Sequence, residues 1–346
     1  MRLLASLFGV LASTGVGPQA QVPPAAEFLA FRVDDERLVA TILIREASPP
    51  QIREGLSPAP VARYGYRRFA VPSRWQERQP FEVPQADRWA VHVSPDVVID
   101  AVAEEVVGGY AGCQEAVGVL LRATPPHART LAAFPARYFV ASPSPAGSVV
   151  TTGASPIGTR PVPSSAEWRA AVEAALDGLL ARELPRVRSE AAPALSRMES
   201  GTVGYRRSWA RERRRVETAM ERGEGRRDYD VQAFQLGPGE PVYFVRAEWL
   251  VDGLQGFAAS LWLRTEPRVE IIEQNLRPAS WLRMPLFQGR VTRAHLGLVL
   301  NVIDGDQDGR GEILFLQAGY EAFSISVREY GAGGFEPARL TYGGGC

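Results

Sequence analysis

The chain has 346 residues, with 39 basic and 39 acidic side chains, so its formal net charge is zero. All of those basic side chains are arginines, because the sequence contains no lysine. Balanced charge argues against a nucleic-acid-binding surface and against a polybasic membrane-binding surface. The length exceeds that of a usual single-core domain, which predicts two domains or one large domain with a linker.

Residues 1–20 have the pattern of a secretory signal peptide. Arg2 precedes an apolar run over residues 3–16, and small residues follow up to a candidate cleavage point after Ala20. A buried or membrane-spanning helix is the alternative, but the run is shorter than the roughly 20 residues that span a bilayer. We therefore expect an exported protein in a periplasmic, cell-surface or extracellular location, with no membrane span after cleavage.

The two cysteines, Cys113 and Cys346, have two interpretations. An exported protein meets oxidising conditions that permit a disulfide between them. Cys346, however, follows three glycines, and such a segment is costly to order, which favours two separate thiols. Neither cysteine has a second cysteine or a histidine at ligand spacing, which argues against a zinc site.

Residues 25–141 have the pattern of a β-rich N-terminal domain. Two apolar runs on either side of Asp34 predict a hairpin, and short strands are predicted over residues 64–71 and 88–93. Residues 97–124 contain several glycines, each of which would cost about 1 kcal/mol inside a helix. This segment therefore favours two strands that meet near the glycines. The run ARYFVASPS predicts a last strand of the domain.

A Ser, Thr, Gly and Pro-rich segment over residues 142–163 predicts a linker between domains. Residues 164–227 follow as a helical and arginine-rich connector. Apolar residues recur there at helical spacing from Trp168 onward, which predicts one long amphipathic helix that ends by Pro185. Ser164 and Glu167 form a candidate capping box at its start.

The arginine-rich stretch over residues 205–227 contains nine arginines and four glutamates. Such a run is also typical of sites that bind nucleic acid or acidic polymers. The interspersed glutamates lower the local positive potential, and the whole chain uses arginine as its basic residue. The pattern therefore favours a solvated connector or an exposed strand edge.

Residues 228–346 have the pattern of a β-rich C-terminal domain. Eight runs of strand length, most of them separated by Gly or Pro, predict antiparallel sheets arranged as a sandwich or as propeller-like blades. Only one acidic loop occurs among them, so a propeller of identical blades has no support. The predicted fold class is mainly β (α+β), with antiparallel sheets and one long amphipathic helix.

The most informative motif is DGDQDGRGE, which runs from Asp304 to Glu312 between two strand-like segments. Asp304, Asp306 and Asp308 alternate, so a curled loop directs all three carboxylates inward. Calcium takes six to eight oxygen ligands, and these carboxylates, the backbone carbonyl of Arg310 and the ninth-position Glu312 supply such oxygens. Without a cation the same acids would raise one another's pKa. The alternative is a solvated acidic turn, which needs no metal.

Two further positions define the type of loop. Gly309 stands where the chain turns around the ion, because glycine readily adopts a positive φ. Phe315 stands at the twelfth position, where an EF-hand needs a bidentate acid, and the flanks are strand-like and not helical. The loop is therefore not an EF-hand.

The pattern Asp-x-Asp-x-Asp-Gly-x-x-Asp/Glu between two strands resembles the calcium loop of the FG-GAP and VCBS repeats, the blade units of integrin-like β-propellers. This resemblance covers about residues 298–330 in a single copy. It implies a Ca²⁺ ion held by the aspartates at 304, 306 and 308, the carbonyl of Arg310 and Glu312. Extracellular calcium modules bind weakly, so the ion would add about 0.5–1.5 kcal/mol in millimolar calcium, as structural reinforcement.

Motifs for catalysis are not found in the sequence. His92, His127 and His295 have no metal-spaced neighbour, which favours surface or satisfied core positions, and no Gly-x-Ser-x-Gly elbow occurs. The chain also cannot form a lysine-containing phosphate loop. Glu104 and Glu105 are adjacent, and adjacent residues of a strand point to opposite faces, so they would not converge on one glycosidic bond.

Three tryptophans of the C-terminal half could stack on sugars, namely Trp249, Trp262 and Trp281. Their alternation with apolar neighbours favours core positions. The sequence thus predicts an exported, non-catalytic, calcium-binding β protein with an interaction or envelope-structural role and an unidentified protein or glycan partner. The alternative is a secreted hydrolase, for example one that acts on carbohydrate. A hydrolase should show a deep cleft with two converging titratable groups, and a binding module a shallower face.

Overall fold

The structure is a computed structural model, and it describes residues 27–46, 84, 86–111, 114–144, 156–199, 204–239, 241–265, 268–279, 291–306, 308–318, 322–331 and 333–345. The expected signal peptide, both cysteines, the predicted strand over residues 64–71 and Trp281 lie outside these ranges. Within them the fold is mainly β and its strand pairs are antiparallel, as the sequence predicts.

The N-terminal strands close into a six-stranded barrel. Its strands are β1 (Phe28–Arg32), β2 (Arg37–Glu46), β3 (Arg88–Ser94), β4 (Val97–Ala111), β5 (Gln114–Ala123) and β6 (Tyr138–Pro143). They pair in the order β1-β2-β5-β4-β3-β6 around the barrel. The predicted hairpin is confirmed, and Asp34 Oδ1 stabilises its turn by accepting the N–H groups of Glu36 (3.0 Å) and Arg37 (2.9 Å). The two strands predicted over residues 97–124 are also confirmed.

Two features of the barrel were not predicted from the sequence. A helix, α1 (Pro125–Ala133), connects β5 to β6 and buries Leu131. Gly118 allows β5 to pack closely against β2, because a Cβ there would lie 2.6 Å from the carbonyl oxygen of Ala40. Closure of the barrel depends on such long-range contacts, which strand-length patterns do not encode.

A second, five-stranded sheet is covered by helices on one face, and we call it the helix-covered sheet. It contains β7 (Gly158–Arg160), β8 (Arg226–Gln235), β9 (Val242–Val251), β10 (Leu254–Arg264) and β11 (Glu270–Pro278), in the order β11-β10-β9-β8-β7. Strand β7 lies inside the segment interpreted as a linker and pairs with β8. The helices α2 (Ala166–Glu199) and α3 (Gly204–Glu221) pack on the apolar face of this sheet.

The helices correct three details of the sequence analysis. The first helix continues through Pro185 to Glu199, although its buried stripe follows the predicted spacing up to Leu184. Its first backbone amides are capped by Ser165, whose Oγ accepts the N–H of Trp168 (3.1 Å), and not by Ser164. The described residues form two long helices, of 34 and 18 residues, where the sequence predicts one.

The arginine-rich stretch is the second of those helices, so its interpretation as a solvated connector or strand edge is wrong. Trp209, Val216 and Met220 recur at helical spacing and are buried. Arg213 and Glu217 share that buried face, where they form an ion pair at 2.8 Å. The arginines that lie between these apolar residues made their helical spacing difficult to recognise in the sequence.

The third sheet packs between the other two, and we call it the central sheet. A short helix, α4 (Arg293–Leu296), precedes β12 (Leu298–Ile303), β13 (Glu312–Ala318), β14 (Ala322–Gly331), β15 (Gly334–Phe335) and β16 (Leu340–Gly345). The order is β12-β13-β14-β15, and β16 also pairs with β14. All eight strands predicted for the C-terminal half are confirmed, whereas propeller-like blades are not.

Residue alternation explains how the central sheet is buried on both faces. Ile303 and Leu314 face the barrel, where they pack with its Leu29. Their neighbours Val302 and Ile313 face the helix-covered sheet, in a core that contains the aromatic rings of that sheet. The layers therefore run from helices to helix-covered sheet, central sheet and barrel.

In the described part of the chain, no helix combines the length and the hydropathy required to cross a lipid bilayer.

Candidate metal centre

The acidic loop joins β12 to β13 at the place where the three sheets meet. Ile303 and Glu312 are paired residues of the two strands, so the loop leaves and re-enters the central sheet at neighbouring positions. Gly309 has φ +83°, which confirms the predicted turn, and a Cβ there would meet no atom within 4 Å. The flanking strands are also as predicted.

The structure brings the three aspartates together. One carboxylate oxygen from each of Asp304, Asp306 and Asp308 lies within 4.8 Å of the other two. Asp304 is buried, while the other two are exposed. Backbone N–H groups hold the curl, since Asp306 Oδ1 accepts the N–H of Asp308 (3.3 Å) and Asp308 Oδ1 accepts the N–H of Arg310 (2.8 Å). These oxygens are hard ligands of the kind that calcium takes.

Glu312, the predicted ninth-position ligand, has a different set of contacts. It is 1% exposed; its Oε2 accepts the N–H of Gly305 (2.8 Å) and its Oε1 binds the guanidinium of Arg339 (2.6 Å). Burial raises the pKa of this carboxyl to about 7, although the Gly305 N–H and Arg339 both act to lower it. Glu312 thus fixes the start of the loop and lies outside the aspartate cluster.

Arg339 is the functional residue that the sequence analysis missed. It lies just before β16 and contacts carboxylates from three parts of the molecule: Glu27 at 2.8 Å, Asp306 at 3.3 Å and Glu312 at 2.6 Å. An internal cation therefore neutralises part of the acidic loop, which neither the calcium nor the solvent interpretation included. No local sequence signal marks this residue, because its partners are distant in the chain.

Two titratable side chains of the barrel belong to the same electrostatic environment. Burial raises the pKa of Glu27, while Arg339 lowers it and Asp306 raises it further. Burial and the positive charge of Arg339 together lower the pKa of His92 to about 4, although Asp306 acts to raise it. His92 Nδ1 is buried and has no hydrogen-bond partner among the described residues. His92 is therefore a neutral core residue at neutral pH.

The far end of the loop is tied to the helix-covered sheet. Gly311 donates its N–H to the carbonyl oxygen of Leu236 (2.8 Å), and a Cβ at Gly311 would lie 2.9 Å from Ile157. The Arg310 side chain is half exposed and pairs with Glu329 at 3.2 Å and with Asp308 at 3.8 Å. The loop thus contacts all three sheets within a few residues.

The remaining candidate residues have structural contacts. His127 Nδ1 accepts the N–H of Asp100 (3.2 Å), and His295 forms a capping box with Thr292 at the start of α4. Asp252, with φ +50°, forms the tight Asp-Gly turn between β9 and β10. Glu104 pairs with Arg122 at 2.5 Å on the exposed outside of the barrel.

The two described candidate tryptophans are core residues, as the alternation pattern favours. Trp249 packs under the helices, and Trp262 lies between the sheets, stacked on Phe244 with ring centroids 4.6 Å apart. Neither presents an open face for a sugar ring.

A cleft of about 320 Å³ lies on the inner face of the helix-covered sheet. Asp228 and Glu248 line it from paired positions of β8 and β9, the arrangement that places two carboxyl groups near each other. Asp228 is bound by Arg226 (2.7 Å), and Glu248 accepts a hydrogen bond from Gln255 (2.8 Å). These contacts favour a structural role for Asp228 and Glu248. The cleft is nevertheless the place at which the hydrolase alternative puts its two acidic groups.

Comparisons of this chain with protein-family models, with curated proteins and with solved structures find no match.

Proposed function

We propose that the acidic loop binds a calcium ion that reinforces the junction of the three sheets, in an exported, non-catalytic protein with an interaction or envelope-structural role. The single observation that supports this proposal is the convergence of Asp304, Asp306 and Asp308 to within 4.8 Å. The three aspartates are the primary ligands of the proposed site. Glu312 and the Arg310 carbonyl are secondary ligands, because the Glu312 carboxylate already binds Gly305 and Arg339.

The charges of the site support a cation over plain solvation. Glu27, Asp306 and Glu312 share one guanidinium, that of Arg339, while Arg310 pairs with Glu329 at 3.2 Å and with Asp308 at 3.8 Å. A divalent ion at the aspartates would relieve the remaining repulsion. The expected affinity is that of extracellular calcium modules, with a Kd of about 0.1–1 mM. Such a weak site reinforces structure in a calcium-rich compartment and is unsuited to signalling.

Isothermal titration calorimetry of the full chain with calcium tests this function. Asp308→Asn keeps the oxygen that accepts the Arg310 N–H but removes a negative charge from the cluster, so it should weaken calcium binding at least tenfold. Asp96→Asn, at an exposed turn of the barrel, is the matched control and should leave the affinity unchanged. Equal heats from the wild type and Asp308→Asn would refute the site.

The alternative function, a secreted hydrolase, has one specific observation in its favour, the cleft beside Asp228 and Glu248. A panel of glycoside and ester substrates, assayed with the wild type and with Glu248→Gln, tests it. Turnover that disappears in Glu248→Gln would replace the non-catalytic proposal. Absence of turnover with every substrate would leave the binding role as the better account.

A further inference from the structure

The space between the helix-covered sheet and the central sheet changes from apolar to polar along its length. At one end it is filled by aromatic and aliphatic side chains such as Phe244, Trp262 and Ile313. At the other end lies a pocket of about 80 Å³, lined by hydroxyl, amide and charged groups of Ser260, Asn275, Gln317, Ser324, Ser326 and Arg328. Inner faces of packed sheets are normally apolar, so a polar pocket at this place requires an explanation.

The strand register places the polar groups on the inner faces of the two sheets. On one wall, Ser260 of β10 is paired with Asn275 of β11. On the other wall, Gln317 of β13 is paired with Ser324 of β14. Paired residues share a face of the sheet, so each wall presents hydrogen-bonding groups side by side. In β14 the alternate residue Ile325 packs towards the barrel.

The hydrogen-bonding capacity of the pocket is not used up internally. Asn275 Nδ2 is buried and lacks a hydrogen-bond partner within the described part of the chain. Ser326 Oγ has only a long contact to the carbonyl oxygen of Phe315 (3.5 Å). A buried amide donor without an acceptor destabilises the protein. A ligand or water that supplies oxygen atoms would remove that cost.

The chemistry of the lining selects an uncharged, hydroxyl-rich ligand. The two charged groups, Arg328 and Glu273, bind each other at 2.7 Å, so the pocket has no excess charge for an ion. Serine hydroxyls and side-chain amides both donate and accept, which matches sugar hydroxyls. Phe315 and Trp262, both buried, close the pocket beneath these polar groups, so a ligand would be recognised through its hydroxyl edge.

We propose that this inter-sheet pocket binds the hydroxyl-bearing edge of a neutral sugar. Its volume admits one edge of a pyranose and not a whole disaccharide, and the exposed Glu273 marks where the rest of the ligand leaves the pocket. The proposal does not depend on calcium at the acidic loop. It assigns a ligand class to a surface that the loop does not touch.

Ligand-observed saturation-transfer NMR and calorimetry of the full chain, in EDTA, test this inference with a panel of neutral methyl glycosides. Glycerol and glucuronate serve as a smaller polyol and an anionic comparator. At least one neutral glycoside should bind at millimolar concentration, more tightly than either comparator. Absence of binding by every glycoside, or preferential binding of glucuronate, would overturn the proposal.

Two variants locate the site. Ser326→Val and Asn275→Leu should each weaken glycoside binding at least tenfold, and Asn275→Leu should also raise the Tm, because it replaces an unpartnered buried amide by an apolar group of similar shape. Thr341→Val is the matched control, since Thr341 is paired with Ser326 but is exposed on β16. Binding that persists unchanged in both pocket variants would show that the sugar binds elsewhere.

The source of the sugar is distinguished by a second titration with oligosaccharides that end in the best glycoside. Tighter binding of the oligosaccharide indicates a glycan, with contacts extending past Glu273. Equal binding indicates a free monosaccharide. Both results support the pocket, whereas binding of the oligosaccharide that is insensitive to Ser326→Val contradicts it.

Discussion

Two arginines of this molecule differ in the number of carboxylates that surround them. Arg213, on the buried face of α3, forms an ion pair with Glu217 at 2.8 Å, and both side chains are almost fully buried. Arg339 is partly exposed and is shared by Glu27, Asp306 and Glu312, with two further aspartates beside them. The first group joins one buried acid to one buried base. The second has more negative charge than its own cation neutralises, and this excess is what makes an external cation reasonable there.

The largest effect should come from Arg339→Gln. Glu312 is 1% exposed, and loss of its guanidinium leaves a buried carboxylate without a cation. Such a loss costs about 3–5 kcal/mol, measured by denaturant unfolding in EDTA. Millimolar calcium should restore part of the stability.

Arg310→Gln is the control for that experiment. The Arg310 side chain is 49% exposed and pairs with Glu329 at the surface, so its removal should cost less than about 1 kcal/mol. Equal losses in the two arginine variants would contradict a special role for Arg339.

For the buried pair, Arg213→Met should destabilise the protein by about 3 kcal/mol, because Glu217 stays buried and loses the guanidinium that it binds at 2.8 Å. The double variant Arg213→Met/Glu217→Leu should recover to within about 1 kcal/mol of the wild type, since a packed apolar pair replaces an ion pair at little cost. Calcium should not change the stability of either variant. A calcium-dependent recovery of Arg213→Met would remove the distinction between the two groups.

The electrostatic environment of the loop also predicts a pH dependence through His92. Its pKa is about 4 in the folded protein and near 6.5 when unfolded, so the unfolded state binds a proton first as the pH falls. His92 therefore costs no stability above its unfolded pKa. On acidification from pH 7 to pH 5 it should lower the free energy of unfolding by about 2 kcal/mol.

Glu312 acts in the opposite direction over the same range. Its pKa of about 7 is raised by burial, so protonation stabilises the folded state as the pH falls. The contribution of His92 is thus measured as the difference between wild type and His92→Asn, in urea titrations at pH 7 and pH 5. Parallel pH dependence of the two proteins would refute the assignment.

The smallest effect concerns the turn itself. Gly309→Ala forces an alanine into φ +83° with open space around it, so the cost is that of the backbone alone, about 1 kcal/mol. Gly237→Ala is the matched control at an open position without positive φ and should change stability by only a few tenths of a kcal/mol. A Gly309→Ala variant as stable as the wild type would mean that the loop is not held in one conformation.

The sequence predicts the strands of this molecule better than their assembly. Alternation located the eight C-terminal strands, and the glycines near residue 110 correctly favoured strand over helix. The same pattern did not distinguish a sandwich from propeller blades, nor indicate a barrel, because both depend on which strands pair at long range. The helix α3 was missed since arginines outnumber the apolar residues that form its buried stripe.

The site shows the same division between local and distant information. Alternating aspartates and Gly309 are local features, and their geometry agrees with the prediction. The roles of Glu27 and Arg339 depend on the packing of β1 and β16 beside the loop, which no spacing rule predicts. Glu312 stays a predicted ligand from its position, whereas its burial and its contacts with Gly305 and Arg339 could not be predicted from that position.

The position of Arg339 couples the acidic loop to a distant edge of the central sheet. The guanidinium that Glu312 binds lies 27 residues further along the chain, just before β16. Strand β16 is held by its pairing with β14. A change that detached β16 would therefore also withdraw positive charge from Glu27, Asp306 and Glu312.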